Sequence, residues 1–373
     1  MKFSEIKNAV MDTVIAGKVP FVRGLHGIGK SEMMEGICDD ISKYYGKKVS
    51  FHPKDVAHIK EGELTGMPIT TTDPETGLLI NTYTTYSVFN EVIKEAKKGI
   101  IPIIFFDEIN RTDRQVFNEL MPIILSKKVQ DTILPKELII LTAGNPEDIS
   151  EFEGASDDYS VLPMDPALKN RMFIYRLDVD PVEWLQWATK TNLDEDVITF
   201  ISEYPNMLHL VSENELNPTP RGWKMFSDVL NVIKSRKGSI ADNEDEVIIT
   251  GSAILGKEVT LNFVRFAREA YNPILKPEDF FNVDTSTMNK NLEKLKNDTP
   301  TRQCITMSRL TDFIINNNVD DDIFKIYANC LYSVARDITM GTIIDISKRK
   351  KMTLVKLVKL DSKRMSEFQK YLI

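Results

Sequence analysis

Gly24-Leu25-His26-Gly27-Ile28-Gly29-Lys30-Ser31 satisfies the pattern G-x-x-x-x-G-K-[ST], and its reading decides the fold. The apolar run Val19 to Arg23 precedes it as a strand, and an amphipathic helical pattern follows it. Glycines let successive amides converge on phosphate oxygens, and the dipole of the following helix adds a favourable potential. Lys30 then neutralises the terminal phosphates, and Ser31 offers a hydroxyl to Mg²⁺. Gly24, His26, Gly27, Ile28, Gly29, Lys30, Ser31 and Glu32 make up the expected nucleotide-binding segment, in which His26 reads as a tolerated side chain.

Working outward, apolar runs alternate with amphipathic segments as far as Val179, the pattern of an α/β domain. Strands are predicted at Val19 to Arg23, Lys48 to His52, Ile101 to Phe106, Leu138 to Ala143 and Met172 to Leu177. Ile101-Pro102-Ile103-Ile104-Phe105-Phe106 is apolar on both faces, which is what a central parallel strand covered on both sides requires. It ends in Asp107-Glu108, at the carboxyl end of a strand, where parallel sheets bind ligands. Two carboxylates there repel each other and lose hydration unless a cation is near. Asp107 is the expected Mg²⁺ ligand with Ser31, and Glu108 the residue that orients or deprotonates the attacking water. Leu141-Thr142-Ala143-Gly144-Asn145-Pro146 is a third apolar strand with a polar tip, from which Asn145 could reach a γ phosphate; an Asn-Pro turn is the plainer alternative.

After Pro181 the strand signals fade, and Pro181 to Thr191, Glu195 to Leu208, Arg221 to Arg236 and Lys257 to Tyr271 read as helices, with a polar loop over Lys237 to Glu246. The expected division is an α/β nucleotide-binding domain over 1–180, an α-helical lid over 181–271 and a helical C-terminal extension over 272–373.

Hydrophobic residues at 42% and charged residues at 27% fit a folded globular chain rather than a disordered one. No apolar stretch approaches the roughly 20 residues of a membrane span, and Met1 to Ala16 is amphipathic, so a cytoplasmic protein is expected. Cys38, Cys304 and Cys330 are scattered, which suggests reduced thiols rather than a disulfide framework or a zinc site. A net charge of -8 disfavours a chain-wide grip on nucleic acid. The C-terminus is nonetheless basic through Lys348, Arg349, Lys350, Lys351, Lys356, Lys359, Lys363 and Arg364, as a solvated helix face, a subunit contact or a nucleic-acid surface would be.

These motifs, in this order, resemble the AAA+ ATPases. Asp107-Glu108-Ile109-Asn110-Arg111 narrows the resemblance to the MoxR-like branch, a pentapeptide that McrB-type restriction GTPases also use. Leu64-Thr65-Gly66-Met67-Pro68, Asp165-Pro166-Ala167-Leu168, Glu183-Trp184, Trp187-Ala188 and Pro220-Arg221-Gly222-Trp223 follow the family's order. Thr142-Ala143-Gly144-Asn145-Pro146 lacks the Met-Asn-Thr-Ala-Asp string of the GTPase branch, which favours ATP.

The resemblance implies a ring, usually a hexamer, with ATP bound between subunits. It gives Asn145 the sensor 1 position, Arg171 the arginine finger with Lys169 or Arg176 as alternatives, and Arg221 the sensor 2 arginine of the lid. Two inserts, Glu63 to Tyr86 and the predicted hairpin Ser126 to Glu137, match ring-facing loops, so Met67, Tyr83 or Tyr86 could meet a substrate chain or simply pack on the surface. The function implied is chaperone-like remodelling of a protein, commonly one with a von Willebrand factor A domain. A nucleic-acid motor or loader of restriction or phage type is the alternative, and a metabolic P-loop kinase a distant third. Asp284-Thr285-Ser286-Thr287-Met288 begins like a D-x-S-x-S metal site but lacks the last serine, and is discounted.

Overall fold

The computed structural model describes residues 1–147, 161, 163–164, 166–210, 216–269, 273–317 and 319–360. Asp165, Tyr271, Lys363 and Arg364 lie outside the described residues. The chain forms two units: residues 1–180 with 211–215 and Thr219–Arg221, and 181–210 with 216–218 and 222–373.

The strands of the first unit are β1 (Val19–Arg23), β2 (Val49–Asp55), β3 (Pro68–Thr72), β4 (Leu79–Tyr83), β5 (Ile101–Asp107), β6 (Lys128–Val129), β7 (Thr132–Ile133), β8 (Ile139–Gly144) and β9 (Met172–Arg176). Its longer helices are α1 (Phe3–Ile15), α2 (Lys30–Tyr45), α3 (Ser87–Lys97) and α4 (Arg114–Ser126). Five strands make one parallel sheet in the order β2-β5-β8-β1-β9. The crossover after β1 runs to the far edge at β2, the chain returns inward through β5 and β8, and then passes to the other side of β1. The carboxyl ends of β5, β8 and β1 therefore lie side by side where the winding reverses, the crevice in which open parallel sheets bind ligands.

β5 is buried along nearly its whole length, as its apolar run requires. Ile103 and Phe105 join a core with Ile6, Val10, Met33 and Ile37 of α1 and α2. Ile104 and Phe106 join the opposite core with Val88, Phe89, Phe117 and Leu120 of α3 and α4. Side chains alternate across a strand, so one apolar run fills both layers. The result is a parallel α/β sheet with helices on both faces. β2 continues three residues past the predicted His52 because its register with β5 persists to the pair Asp55 and Asp107.

The described part of the second unit is helical. Phe200 packs tilted against Tyr204 and Trp223 and edge-on against Phe263 and Phe266. Trp223 is fully buried and donates its indole N–H to the Met207 carbonyl at 2.9 Å, the partner a buried indole needs. A second core joins Leu295, Leu310, Tyr327, Leu331, Ile343 and Leu357 from the later helices. A helix over Glu244–Leu255 occupies part of what the sequence presents as a loop. Three acidic residues in its first turn, favourable at a helix N-terminus, make that stretch look polar.

Three residues of the basic C-terminal stretch are engaged inside this unit, while Lys348, Lys351 and Lys359 are exposed. Arg349 pairs with Asp312 and Asp345, Lys350 donates to the Ile315 carbonyl, and Lys356 pairs with Asp321 over the Phe324 ring. Asp284 caps the helix Thr285–Asn297 by accepting from the amides of Ser286 and Thr287, which accounts for that motif without a metal. Cys38 and Cys330 are buried reduced thiols that burial pushes up to about 12.

Two-sided burial of β5 makes a direct prediction. Ile103→Ala and Ile104→Ala, on opposite faces, should each cost about 2–5 kcal/mol of unfolding free energy in urea titrations. A loss below about 1 kcal/mol at either position would contradict a sheet covered on both faces.

Candidate nucleotide site

Gly27 and Gly29 hold φ of 70° and 96°, the left-handed region that side chains disfavour. Gly29 is the N-cap of α2, so the turn ends with helix amides directed at the loop. A Cβ on Gly27 would also stand 2.8 Å from Thr219 Oγ1, so that position is closed to side chains twice over. Ile28 departs from a binding role for its side chain: it is buried and packs in the core beneath the loop, its Cδ1 where a Cβ on Gly24 would fall. Glu32 is exposed on the first turn of α2.

Lys30 is only 8% exposed, and its ammonium donates to the carbonyls of Gly24 at 2.7 Å and Leu25 at 2.9 Å and to Asn145 Oδ1 at 3.4 Å. Burial drives its titration down to about 8; Asp107 and Glu108 work against that shift, and Arg221 and Arg111 add to it. Ser31 Oγ donates to Asp107 Oδ2 at 2.7 Å, so the two expected Mg²⁺ ligands already touch. They offer hard oxygen donors, and Mg²⁺ takes few of these from a protein when phosphates supply others. No group of three or more His, Cys, Asp and Glu able to hold a metal occurs among the described residues.

Glu108 has a φ of 53°, unusual for a side chain of this kind and a mark of local strain. Its carboxylate accepts from Arg111 Nη1 at 3.0 and 3.2 Å. Asn145 is buried, and Asn110 clamps its backbone from both sides: Asn110 Nδ2 donates to the Asn145 carbonyl at 2.8 Å, and the Asn145 amide donates to Asn110 Oδ1 at 3.0 Å. Asn145 Nδ2 is buried with no acceptor among the described residues. A buried donor left unpaired costs on the order of 1–3 kcal/mol, and a phosphate oxygen is the acceptor this donor fits.

Arg221 is exposed but belongs to the first unit, and its amide donates to the Gly27 carbonyl at 3.0 Å. His26 titrates below its usual range through burial and then the charges of Lys30, Arg221 and Arg111.

Arg171 does not join this group. It immediately precedes β9, whose first residue pairs with Val19 at the start of β1. It is exposed at the amino end of the sheet, whereas the loop stands at the carboxyl end. Of the alternatives, Lys169 pairs with Glu147 at 2.6 Å and Arg176 with Asp178 at 2.8 Å. A surface cavity of about 230 Å³ at the amino end, lined by Val14, Tyr45, Lys127 and Leu138 among others, contains none of the motif residues.

Two contributors carry no role in the sequence reading. Asn110 sits within the quoted pentapeptide, yet only the fold shows that it fixes Asn145 across neighbouring strands. Arg111, the last residue of that pentapeptide, holds Glu108. In the turn from Glu108 to Asp113 only Ile109 is apolar, so residue type alone does not single out Asn110.

No family model matches the chain, and no curated protein matches it. Among solved structures it is similar to a chain of the HORMA:CdnC:Trip13 complex of E. coli MS115-1, at 16% identity over 69% of this chain and 77% of that one, TM-score 0.35. PCH-2 of C. elegans is similar at 13% identity over 71% and 69%, TM-score 0.34. A RuvB mutant of Thermotoga maritima is similar at 12% identity over 79% and 73%, TM-score 0.31.

A lysine that titrates near 8 in the free protein regains its proton beside a polyphosphate, whose negative charge favours the ammonium. At pH above about 8, nucleotide binding should therefore take up a fraction of a proton, and affinity should fall as pH rises. Calorimetric titrations at pH 8.5 in two buffers of different ionisation heat measure the uptake directly; buffer-independent heats would be evidence against it.

Proposed function

We propose that this chain is a Mg²⁺-dependent ATPase of the AAA+ kind that works as a ring and remodels a protein partner. The observation that carries the reading is the convergence of Lys30, Ser31, Asp107, Glu108 and Asn145 at three adjacent strand ends, with one buried amide donor of Asn145 lacking an acceptor among the described residues.

In this reading Gly24, Gly27 and Gly29 admit the phosphate chain to the loop amides, and Lys30 holds its terminal charge. Ser31 and Asp107 hold Mg²⁺, which when bound offsets charge on the phosphate oxygens. Glu108 orients water and accepts its proton once Arg111 releases the carboxylate. Asn145, fixed by Asn110, donates to the phosphate being cleaved. Arg221 follows the loop through its amide and reports closure around the nucleotide.

Arg171 serves the neighbouring subunit. Its place at the amino end of β9 and its exposure suit a group that works outside its own site, and its planar guanidinium suits phosphate oxygens. A partner with a von Willebrand factor A domain remains the first protein to test. The nucleic-acid motor reading gains little, because Arg349, Lys350 and Lys356 are engaged within their own unit.

Three variants test the assignment. Lys30→Ala should abolish detectable nucleotide binding. Glu108→Gln should bind ATP normally while turnover falls about a hundredfold or more. Arg171→Ala should lower turnover by about 10³-fold, and only at sites whose neighbour carries the change. In rings mixed from wild-type and Arg171→Ala subunits, activity strictly proportional to the wild-type fraction, with normal turnover at each site whose neighbour is altered, would overturn the trans role.

A further inference from the structure

The insert between β2 and α3 folds into a hairpin that pairs with no other strand among the described residues. β3 and β4 form a separate two-stranded antiparallel sheet, and every residue in both strands is exposed. Its base is anchored: Glu119 of α4 accepts from the amides of Gly62 and Thr65, and Met67 and Thr84 close the ladder. Beyond that base Met67, Ile69, Leu78, Leu79, Ile80 and Tyr83 are between 39% and 75% exposed. Tyr86 differs from Met67 and Tyr83, since it packs against Phe89 in the core.

The register tells which main-chain groups are open. The Thr84 amide donates to the Met67 carbonyl at 2.9 Å, and the Asp73 amide donates to the Leu78 carbonyl at 2.8 Å. Antiparallel pairs alternate between bonded and non-bonded, so Ile69 with Thr82 and Thr71 with Ile80 are the bonded pairs between these ends. Leu79, Asn81 and Tyr83 thus direct both their N–H and C=O away from β3. On the other edge Pro68 has no N–H to offer. The β4 edge is the complete one.

Exposed edges are ordinarily blunted by charge, by proline or by brevity. The hairpin β6–β7 obeys this, with two-residue strands that include Lys128 and are flanked by Lys127 and Asp131. The β4 edge does not: Thr76 to Asn90 carries no charged side chain. From Glu61 to Ile93 there is no Lys or Arg, while Glu61, Glu63, Asp73, Glu75 and Glu91 are acidic. A phosphate backbone would find no cation there.

We propose that the β4 edge of this hairpin, at Leu79, Asn81 and Tyr83, binds an extended, uncharged polypeptide segment flanked by basic residues, by adding it as a third strand. Main-chain hydrogen bonds supply the affinity, so recognition tolerates many sequences, and the acidic surroundings select the flanks. The inference names the contact with the protein partner of the remodelling reading and rests on that reading for its purpose.

The test uses the full chain and a peptide of about eight alternating valines and threonines, a usual strand length, with two lysines at each end. Fluorescence anisotropy should show saturable binding, weakened about tenfold or more by Asn81→Pro, which removes an outward N–H at a position where an edge strand tolerates proline. Asn81→Ala should bind within about twofold of wild type, because the main chain and not the amide side chain is read. A fully N-methylated peptide should fail to bind wild type, a result that does not depend on any variant folding. Equal binding by Asn81→Pro, equal loss in Asn81→Ala, binding of the N-methylated peptide, or no binding by wild type overturns the proposal. So does a wild-type chain that binds no peptide but loses self-association in Asn81→Pro, which would make a second copy the occupant. ATP hydrolysis measured in the same preparations separates the two readings: turnover without peptide binding sinks the strand-addition inference alone, and peptide binding without turnover sinks the ATPase alone.

Discussion

The buried ammonium of Lys30 is the interaction on which the rest of the first unit depends. Taking an isolated cation out of water costs several kcal/mol even after relaxation, and the group ordinarily answers by losing its proton more readily. Lys30 does so, since burial brings it down to about 8. The carbonyls of Gly24 and Leu25 and the amide oxygen of Asn145 supply its hydrogen bonds, while none of them carries a compensating charge. Asp107 and Glu108 recover only part of the loss. In the proposed ATPase, the phosphates would supply the negative charge that the surroundings of Lys30 lack.

The sheet exists to hold this arrangement. A loop alone could not keep Asn145 near Lys30, since they are far apart in sequence. β1 and β8 are parallel neighbours, and that pairing delivers the loop and Asn145 to the same level; β5 beside them delivers Asp107. Asn110 then ties the turn after β5 to the tip of β8 through two hydrogen bonds, so three strand ends behave as one surface. Its carboxamide works entirely on backbone groups, and truncation to Ala would strand two buried partners at once.

Legibility followed the physics of each element. The parallel strands were readable because burial on both faces demands continuous apolar runs, and β1 and β9 begin where the pattern places them. The places of the loop between β1 and α2, and of Asp107, Glu108 and Asn145 at or just past the ends of β5 and β8, were readable because each follows a short apolar run. The hairpin over Pro68 to Tyr83 was not readable as one, since threonine-rich strands with no buried face carry no apolar alternation. The helix Glu244–Leu255 hid behind the acidic first turn that stabilises it. The basic C-terminal run was readable as a solvated face, since Lys348, Lys350, Lys351 and Lys359 are exposed, whereas the carbonyls and carboxylates that Lys350, Lys356 and Arg349 reach across the fold were not.

Magnitudes explain why Glu108 is held as it is. A non-glycine residue at a φ of 53° stores on the order of 1–3 kcal/mol of strain. Its bond to Arg111 is half exposed on the arginine side, and exposed pairs contribute only about 0–1 kcal/mol. That pair cannot be what imposes the backbone. The imposition comes from the segment after it, where the Ile109 amide donates to the Ala143 carbonyl and fully buried Ile109 and Asn110 are locked against β8. The backbone of Glu108 is thus fixed by strong constraints while its carboxylate is parked by a weak one. A rigid mount with a cheaply released side chain is what a residue needs if it must reach water at one moment and be neutralised at another.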